Sequence, residues 1–463
     1  MNLFKQEDTI AALATGGIKS ALSIIRVSGP SSKETVSSVF FTKNNKKQEL
    51  ADRKILHGYI CAGTKKIDEV ILYYMQAPHT YTGEDTVEIS CHGNPLIVKK
   101  ITELLFSKGV RPADRGEFTY RAYINGKLDL SEAEAVNDLI NSSSSKTAEL
   151  ALNSLQGSLS VQIKEIKKDL TELFAYLEVS LDYPEEDIDF LTREEKKEKM
   201  QKIISRVDNL ISSYSLTKLM ADGIKVSIVG KPNAGKSSIL NSLLGYQRAI
   251  VTDIAGTTTD TIEENIEYKG VAFTVADTAG IRNHTNNIIE KMGQDRSRQS
   301  VNSADMILWV IDGSTFFDDN DKQIAELLKN KKDKTLIVLN KADLEQKLSV
   351  EELQNTIGNF SYVTFSTVNK TPIENILNNI YELLNLQSIE RESTVLLNAR
   401  QYNLISRIKN DLIKVLSLID KGDSDEIVSF ETNNILLLLN EILGIDTKED
   451  ILHSIFSKFC VGK

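Results

Sequence analysis

The stretch Gly230-Lys231-Pro232-Asn233-Ala234-Gly235-Lys236-Ser237 follows the apolar run Val226-Ser227-Ile228-Val229. A strand that ends in a glycine-bearing loop and a Lys-Ser pair opens into a helix, and that geometry aims backbone amides at a phosphate. Three more stretches follow in order: Gly256-Thr257-Thr258, then Asp277-Thr278-Ala279-Gly280 after the run Val271–Ala276, then Asn340-Lys341-Ala342-Asp343 after Thr335–Leu339. Ser366-Thr367-Val368 is a weaker fifth. A phosphate loop alone has false positives. The ordered set implies a parallel α/β domain that binds and hydrolyses GTP.

Each stretch has a chemical reason. Asn233, Ala234, Gly235, Lys236, Ser237 and Ser238 form the phosphate cradle, with Lys236 on the β- and γ-phosphates and the Ser237 hydroxyl on Mg²⁺. Thr252, Asp253, Ile254, Ala255, Gly256, Thr257 and Thr258 form a loop ordered by the γ-phosphate, Thr258 being the second Mg²⁺ ligand. Asp277 ends a buried strand, where a carboxylate can hold a Mg²⁺-bound water. Thr278, Ala279 and Gly280 carry the backbone up to the γ-phosphate. Asp343 accepts from the ring N–H and exocyclic amine of guanine, a pair that adenine lacks, while Asn340, Lys341 and Ala342 brace the loop. Ser366, Thr367 and Val368 stand where a loop reads the guanine oxygen. Ile281 follows Gly280 and cannot orient water, so another residue must.

The rest of the chain frames this domain. With 463 residues there is room for about three domains. Short β-like runs, Ala21–Val27, Glu69–Tyr74 and Asp85–Ser90, imply an α+β domain at the N-terminus. From about Leu128 the texture becomes helical. Leu155, Leu159, Ile163, Ile166, Leu170, Leu173, Leu177 and Leu181 make one apolar stripe, read as bundle core. The mixed-sign run Arg193–Lys199 reads as a solvated face or a helix start. Leu396–Ile419 and Asn434–Leu443 are again apolar-periodic. The expected architecture is α/β plus α+β: a P-loop (Ras-like) GTPase domain inserted into a split helical bundle, after an N-terminal α+β domain. The boundaries are 1–122 for the N-terminal domain, 123–218 and 383–463 for the two helical parts, and 219–382 for the GTPase domain.

A net charge of −10 argues against a broad nucleic-acid-coating surface. Cys61, Cys91 and Cys460 form neither a disulfide framework nor a zinc pattern. The first eight residues lack an apolar signal core, and the longest apolar run, Ile435–Leu439, is too short to span a bilayer. The expected location is cytoplasmic, with no membrane partner.

The chain resembles the MnmE (TrmE) family of tRNA-modifying GTPases over essentially its whole length. The resemblance rests on Asp253–Thr258, Asn233, the terminal Phe459-Cys460-Val461-Gly462-Lys463, Tyr81–Asp85, Ser90-Cys91-His92-Gly93 and Gly126–Ala135. It implies a homodimer that works with the flavoprotein MnmG, which carries FAD and uses NADH. Together they build an aminomethyl or carboxymethylaminomethyl group on C5 of the wobble uridine of certain tRNAs. A tetrahydrofolate, 5-formyl or 5,10-methylene, supplies the carbon. By motif position it assigns Arg26, Glu88, Lys127 and Lys463 to the folate. It assigns Asn233, Thr252, the Ile254 backbone and Thr257 to an activating K⁺, and Glu290 to the catalytic water, with Lys236 and Asn233 completing the catalytic set. One stretch, Thr15–Ile18, and two single residues, Arg115 and Thr259, depart from the family pattern. A GTP-switched ribosome-assembly factor is the alternative, though no appended basic RNA-binding module is apparent. A nucleophilic Cys460 is a further candidate, with no histidine implied beside it.

Overall fold

The computed structural model describes residues 8–44, 46–182, 191–212, 214–246, 264–276, 300–388, 395–445 and 447–463. The chain forms two compact units. One is made of Met1–Asn137, Ser154–Ile204 and Arg407–Lys463, and the other of Asp138–Asn153 and Ser205–Ser406. The long second piece therefore interrupts the first unit in sequence, as an inserted domain does.

The first unit holds strands β1 (Ile10–Leu13), β2 (Leu22–Ser28), β3 (Phe40–Thr42), β4 (Ile55–Ala62), β5 (Lys65–Met75), β6 (Thr86–His92) and β7 (Arg111–Pro112). They form one sheet in the order β3-β4-β5-β6-β2-β1-β7, antiparallel except for the β1–β7 pair. The alternation in β6 works as a half-buried strand should: Val87 and Ile89 are fully buried, Glu88 and Ser90 only partly. Val87 and Ile89 join Ile25, Val27 and Leu72 in a core that also takes Ile101 and Leu105 from helix Pro95–Phe106.

The stripe expected as one helix is cut by Gly157, at φ +88°, which separates helix Ser145–Leu155 from helix Ser158–Asp182. Leu159, Ile163, Ile166, Leu170, Leu173 and Leu177 are buried, whereas Leu181 at the far end is exposed. This helix packs along helix Asp425–Leu443. The mixed-sign run is a helix start: Thr192 Oγ1 accepts from Glu195 N, and Glu195 Oε2 accepts from Thr192 N, the reciprocal bonds of a capping box. Its cations then tie the bundle, with Lys196 Nζ 2.7 Å from Asp425 and Arg193 Nε 2.7 Å from the Ile419 carbonyl.

The second unit holds β8 (Ile224–Val229), β9 (Glu264–Tyr268), β10 (Val271–Ala276), β11 (Met306–Asp312), β12 (Thr335–Asn340) and β13 (Ser361–Thr364). The order is β13-β12-β11-β8-β10-β9, parallel throughout except for the β9–β10 hairpin. All seven residues of β11 and all six of β12 are buried, which is why both read as unbroken apolar runs. Crossovers in such a sheet deliver loops to the carboxyl ends of the strands, where ligands bind.

Candidate functional site: a phosphate loop, a base loop and a side-chain cluster around Arg26

β8 ends at Gly230, whose φ of +152° only glycine adopts easily; a Cβ there would lie 2.3 Å from the Val310 carbonyl oxygen. Gly235, at φ +98°, lies so near Asn340 that a Cβ would fall 1.9 Å from its Nδ2. The chain then enters helix Lys236–Tyr246, with Ser237 and Ser238 exposed in its first turn. Lys236 Nζ donates to the carbonyls of Gly230 (2.7 Å) and Lys231 (2.8 Å). Burial holds its pKa below the ordinary lysine value. Among the described residues no carboxylate faces this cation, so its charge is left for an anion. That fits a phosphate at the helix N-terminus.

The base loop is fastened to the phosphate loop. Asn340, 2% exposed, donates through Nδ2 to the Ala234 carbonyl at 2.8 Å, while its Oδ1 is buried without a partner among the described residues. Lys341, at φ +62°, reaches Asp312 Oδ2 at 2.6 Å. Burial pushes the Asp312 carboxyl up, but bonds from Lys341 and Ser314 outweigh it and hold the group below the usual carboxylate range. Ala342 N donates to the Phe365 carbonyl at 3.1 Å, and Ser366 Oγ donates to Asp343 Oδ1 at 2.5 Å. Ser366 thus orients the side chain expected to read guanine. Thr367 and Val368 are exposed beside it.

Thr252, Asp253, Ile254, Ala255, Gly256, Thr257, Thr258, Asp277, Thr278, Ala279, Gly280 and Glu290 lie outside the described residues, as does Thr259. Ser237 is therefore the one expected Mg²⁺ ligand, and Asn233 the one expected K⁺ ligand, that can be placed. Asn233 sits in the loop at φ +63°, exposed. Among the described residues there is no cluster of three or more His, Cys, Asp or Glu side chains suited to a metal.

A second site forms in the first unit. Arg26 and Glu88 are register partners on β2 and β6, and Arg26 Nε bonds Glu88 Oε1 at 2.9 Å. The guanidinium lies 5.4 Å from the centre of the Tyr81 ring and 5.5 Å from that of Phe118. The chain end comes to the same place. Phe118 N donates to the Lys463 carbonyl at 3.2 Å, and Arg115 pairs antiparallel with Val461. Lys463 is pulled below the ordinary lysine value by burial first, then by the Arg26 charge, against the pull of Glu88. Arg26, Glu88 and Lys463 are therefore together. Lys127 instead donates to the Pro78 carbonyl at 3.0 Å, and Asn125 Nδ2 donates to the Thr82 carbonyl at 2.7 Å. Both fasten the loop that carries Tyr81. An arginine between two rings, a half-buried lysine and a carboxylate suit a flat heterocycle bearing carboxylates, so these residues fit a folate.

Sequence reading missed the ion cluster in the same unit. Arg121, 2% exposed, reaches Asp8 at 2.7 Å, Glu117 at 2.9 Å and both Glu84 oxygens at 3.1 Å; Arg111 joins through Glu117 and Asp8. Asp8 and Arg121 are 113 positions apart in sequence, and only the fold brings them together. Cys460 is an exposed free thiol, and Cys61 and Cys91 are buried.

Comparison with known proteins gives the family. The family model described as "GTP-binding protein TrmE N-terminus" matches residues 9–127, and the one described as "MnmE helical domain" matches residues 130–460. The chain is similar to proteins named "tRNA modification GTPase MnmE". It is 46% identical to that of Endomicrobium trichonymphae over 100% of both chains, and 41% identical to that of Clostridioides difficile (strain 630) over 99% of each. It is 40% identical to that of Thermotoga petrophila over 98% of this chain and 100% of the other.

Proposed function

The chain belongs to the MnmE family of tRNA modification GTPases and is a GTP hydrolase, and from that premise we propose what its two sites do. The GTPase drives installation of an aminomethyl or carboxymethylaminomethyl group at C5 of the wobble uridine of certain tRNAs. Residues 219–382 form the GTPase domain, residues 123–218 and 383–463 the helical domain, and residues 1–122 the folate-binding and dimerising domain. The protein is a homodimer and works with the flavoprotein MnmG, which carries FAD. Its place of work is the cytoplasm, and among the described residues no helix is long and apolar enough to cross a membrane.

The observation that carries this reading is the convergence of Arg26, Glu88 and Lys463 with Tyr81 and Phe118, a grouping that GTP hydrolysis alone does not need. Arg26 and Lys463 would hold the carboxylates of a tetrahydrofolate and Glu88 the N–H groups of its pterin. The folate, when bound, supplies the one-carbon unit. At the nucleotide site Lys236 and the amides of Asn233–Ser238 would bind and orient the phosphates. Ser237 and Thr258 would hold Mg²⁺, and Asn233, Thr252, Ile254 and Thr257 a K⁺ that supplies positive charge. Glu290 would hold the water in line. Asp343, oriented by Ser366, selects guanine.

Two assays test the assignment. GTP turnover in KCl against NaCl should differ by tenfold or more; equal rates would remove the K⁺ role. Binding of 5-formyltetrahydrofolate should fall about tenfold or more in Arg26→Ala, the loss of a charge-assisted contact. Unchanged affinity would remove the folate assignment.

A further inference from the structure

The phosphate loop carries a second lysine that none of these roles uses. Lys231 Nζ donates to Asp321 Oδ2 at 2.9 Å and to Asp318 Oδ2 at 3.2 Å. The Lys231 side chain is 12% exposed and that of Asp321 is 0% exposed. Both carboxylates are fixed at the N-terminus of helix Asp319–Leu328. Asp318 Oδ1 accepts from Asn320 N and Asp321 N, and Asp321 Oδ2 accepts from Asp318 N. Among the described residues the other oxygen of Asp321 is buried with no partner, and Lys231 is the cation that compensates this carboxylate.

The backbone of the same residue faces the nucleotide machinery. The Lys231 carbonyl accepts from Lys236 Nζ at 2.8 Å and from Ala234 N at 3.3 Å. The loop between β8 and helix Lys236–Tyr246 has three residues at positive φ, Gly230, Asn233 and Gly235, and a path of that kind needs outside restraint. Asn340 restrains it at Ala234. Lys231 restrains it at the other end.

We propose that Lys231, clasped by Asp318 and Asp321, is a positioning residue for GTP binding and hydrolysis, locking the carbonyl that helps hold Lys236 where the phosphates arrive. Without the clasp the loop spends less time in its competent form, and apparent affinity falls by that fraction. Asp321 thereby acts on the nucleotide without touching it.

The test uses the full chain with a fluorescent GTP analogue, steady-state GTP hydrolysis and thermal unfolding of the nucleotide-free protein. Lys231→Met and Asp321→Asn should each weaken analogue binding about tenfold, the scale of one charge-assisted hydrogen bond. They should raise KM for GTP by a similar factor. Lys231→Arg should bring both back to within about twofold, since a guanidinium can bridge two carboxylates. The double variant should be no worse than either single one, because both remove the same restraint. Loss in Lys231→Met with normal binding in Asp321→Asn would place the lysine on the nucleotide itself and overturn the proposal. Lower unfolding temperatures with unchanged affinity would also overturn it, by reducing the clasp to a structural contact. Should Asp321→Asn fail to fold, the contrast between Lys231→Met and Lys231→Arg still decides.

Discussion

Asp343 Oδ1 accepts from Ser366 Oγ at 2.5 Å, a contact that fixes its acceptor geometry. Asp343→Asn turns one acceptor into a donor facing donors on guanine. GTP affinity should fall by about a hundredfold or more, read by titration against the wild type. Ser366→Ala removes only the orienting bond and should cost about three- to tenfold. The thiols make a second residue-scale prediction. Burial first, and then the Asp68 charge, push the Cys91 thiol up to about 11, and burial raises Cys61 as well, while Cys460 is exposed. Thiolate is the reactive form. A disulfide reagent at pH 8 should therefore label one thiol quickly, Cys460, and all three only after denaturation. Three fast thiols in the native protein would contradict the burial described.

Among the elements, helix Ser158–Asp182 buries one face and solvates the other, and Leu170 is fully buried on it. Leu170→Ala should cost about 2–5 kcal/mol in a denaturant titration, with the midpoint shifted and the slope unchanged. This face was legible in sequence because spacings of three and four need no tertiary information. The break at Gly157 was not, since one glycine within a periodic run reads equally as a weak helix residue. Strand β4 was also missed. Gly58 interrupts its pattern, yet glycine is required there because a Cβ would lie 2.3 Å from the Phe41 carbonyl oxygen. The phosphate loop and the base loop were legible because each lies within a few residues of chain. Lys127 shows the opposite case: motif position says nothing of the bond its ammonium donates to the Pro78 carbonyl, 49 residues away in sequence.

At the scale of the whole molecule, the first unit is built from segments far apart in sequence. Arg111 and Arg121 gather Asp8, Glu84 and Glu117, and the last residues add Lys463 beside Arg26. No local pattern announces these contacts. Burial would raise the Asp8 carboxyl, but hydrogen bonds from Arg111 and Arg121 and their charges hold it below its ordinary value. A depressed carboxylate stabilises the fold above its unfolded pKa, and that contribution is lost as pH falls through the folded value. Asp8→Asn should therefore lower the unfolding temperature at pH 7. The gap to the wild type should close below about pH 4, near the ordinary aspartate pKa and downward. A gap that stayed constant with pH would show that the charge of Asp8 is not what stabilises.

The central claim joins a GTPase to a tRNA modification through two sites on one chain. Its most direct test is nucleoside mass spectrometry of total tRNA from cells lacking the gene, complemented with the intact chain, Lys236→Ala or Arg26→Ala. The account predicts that C5-aminomethyl-type uridines disappear without the gene, return with the intact chain and stay absent with either variant. An unchanged nucleoside profile in the deleted cells would contradict it and favour a GTP-switched assembly factor.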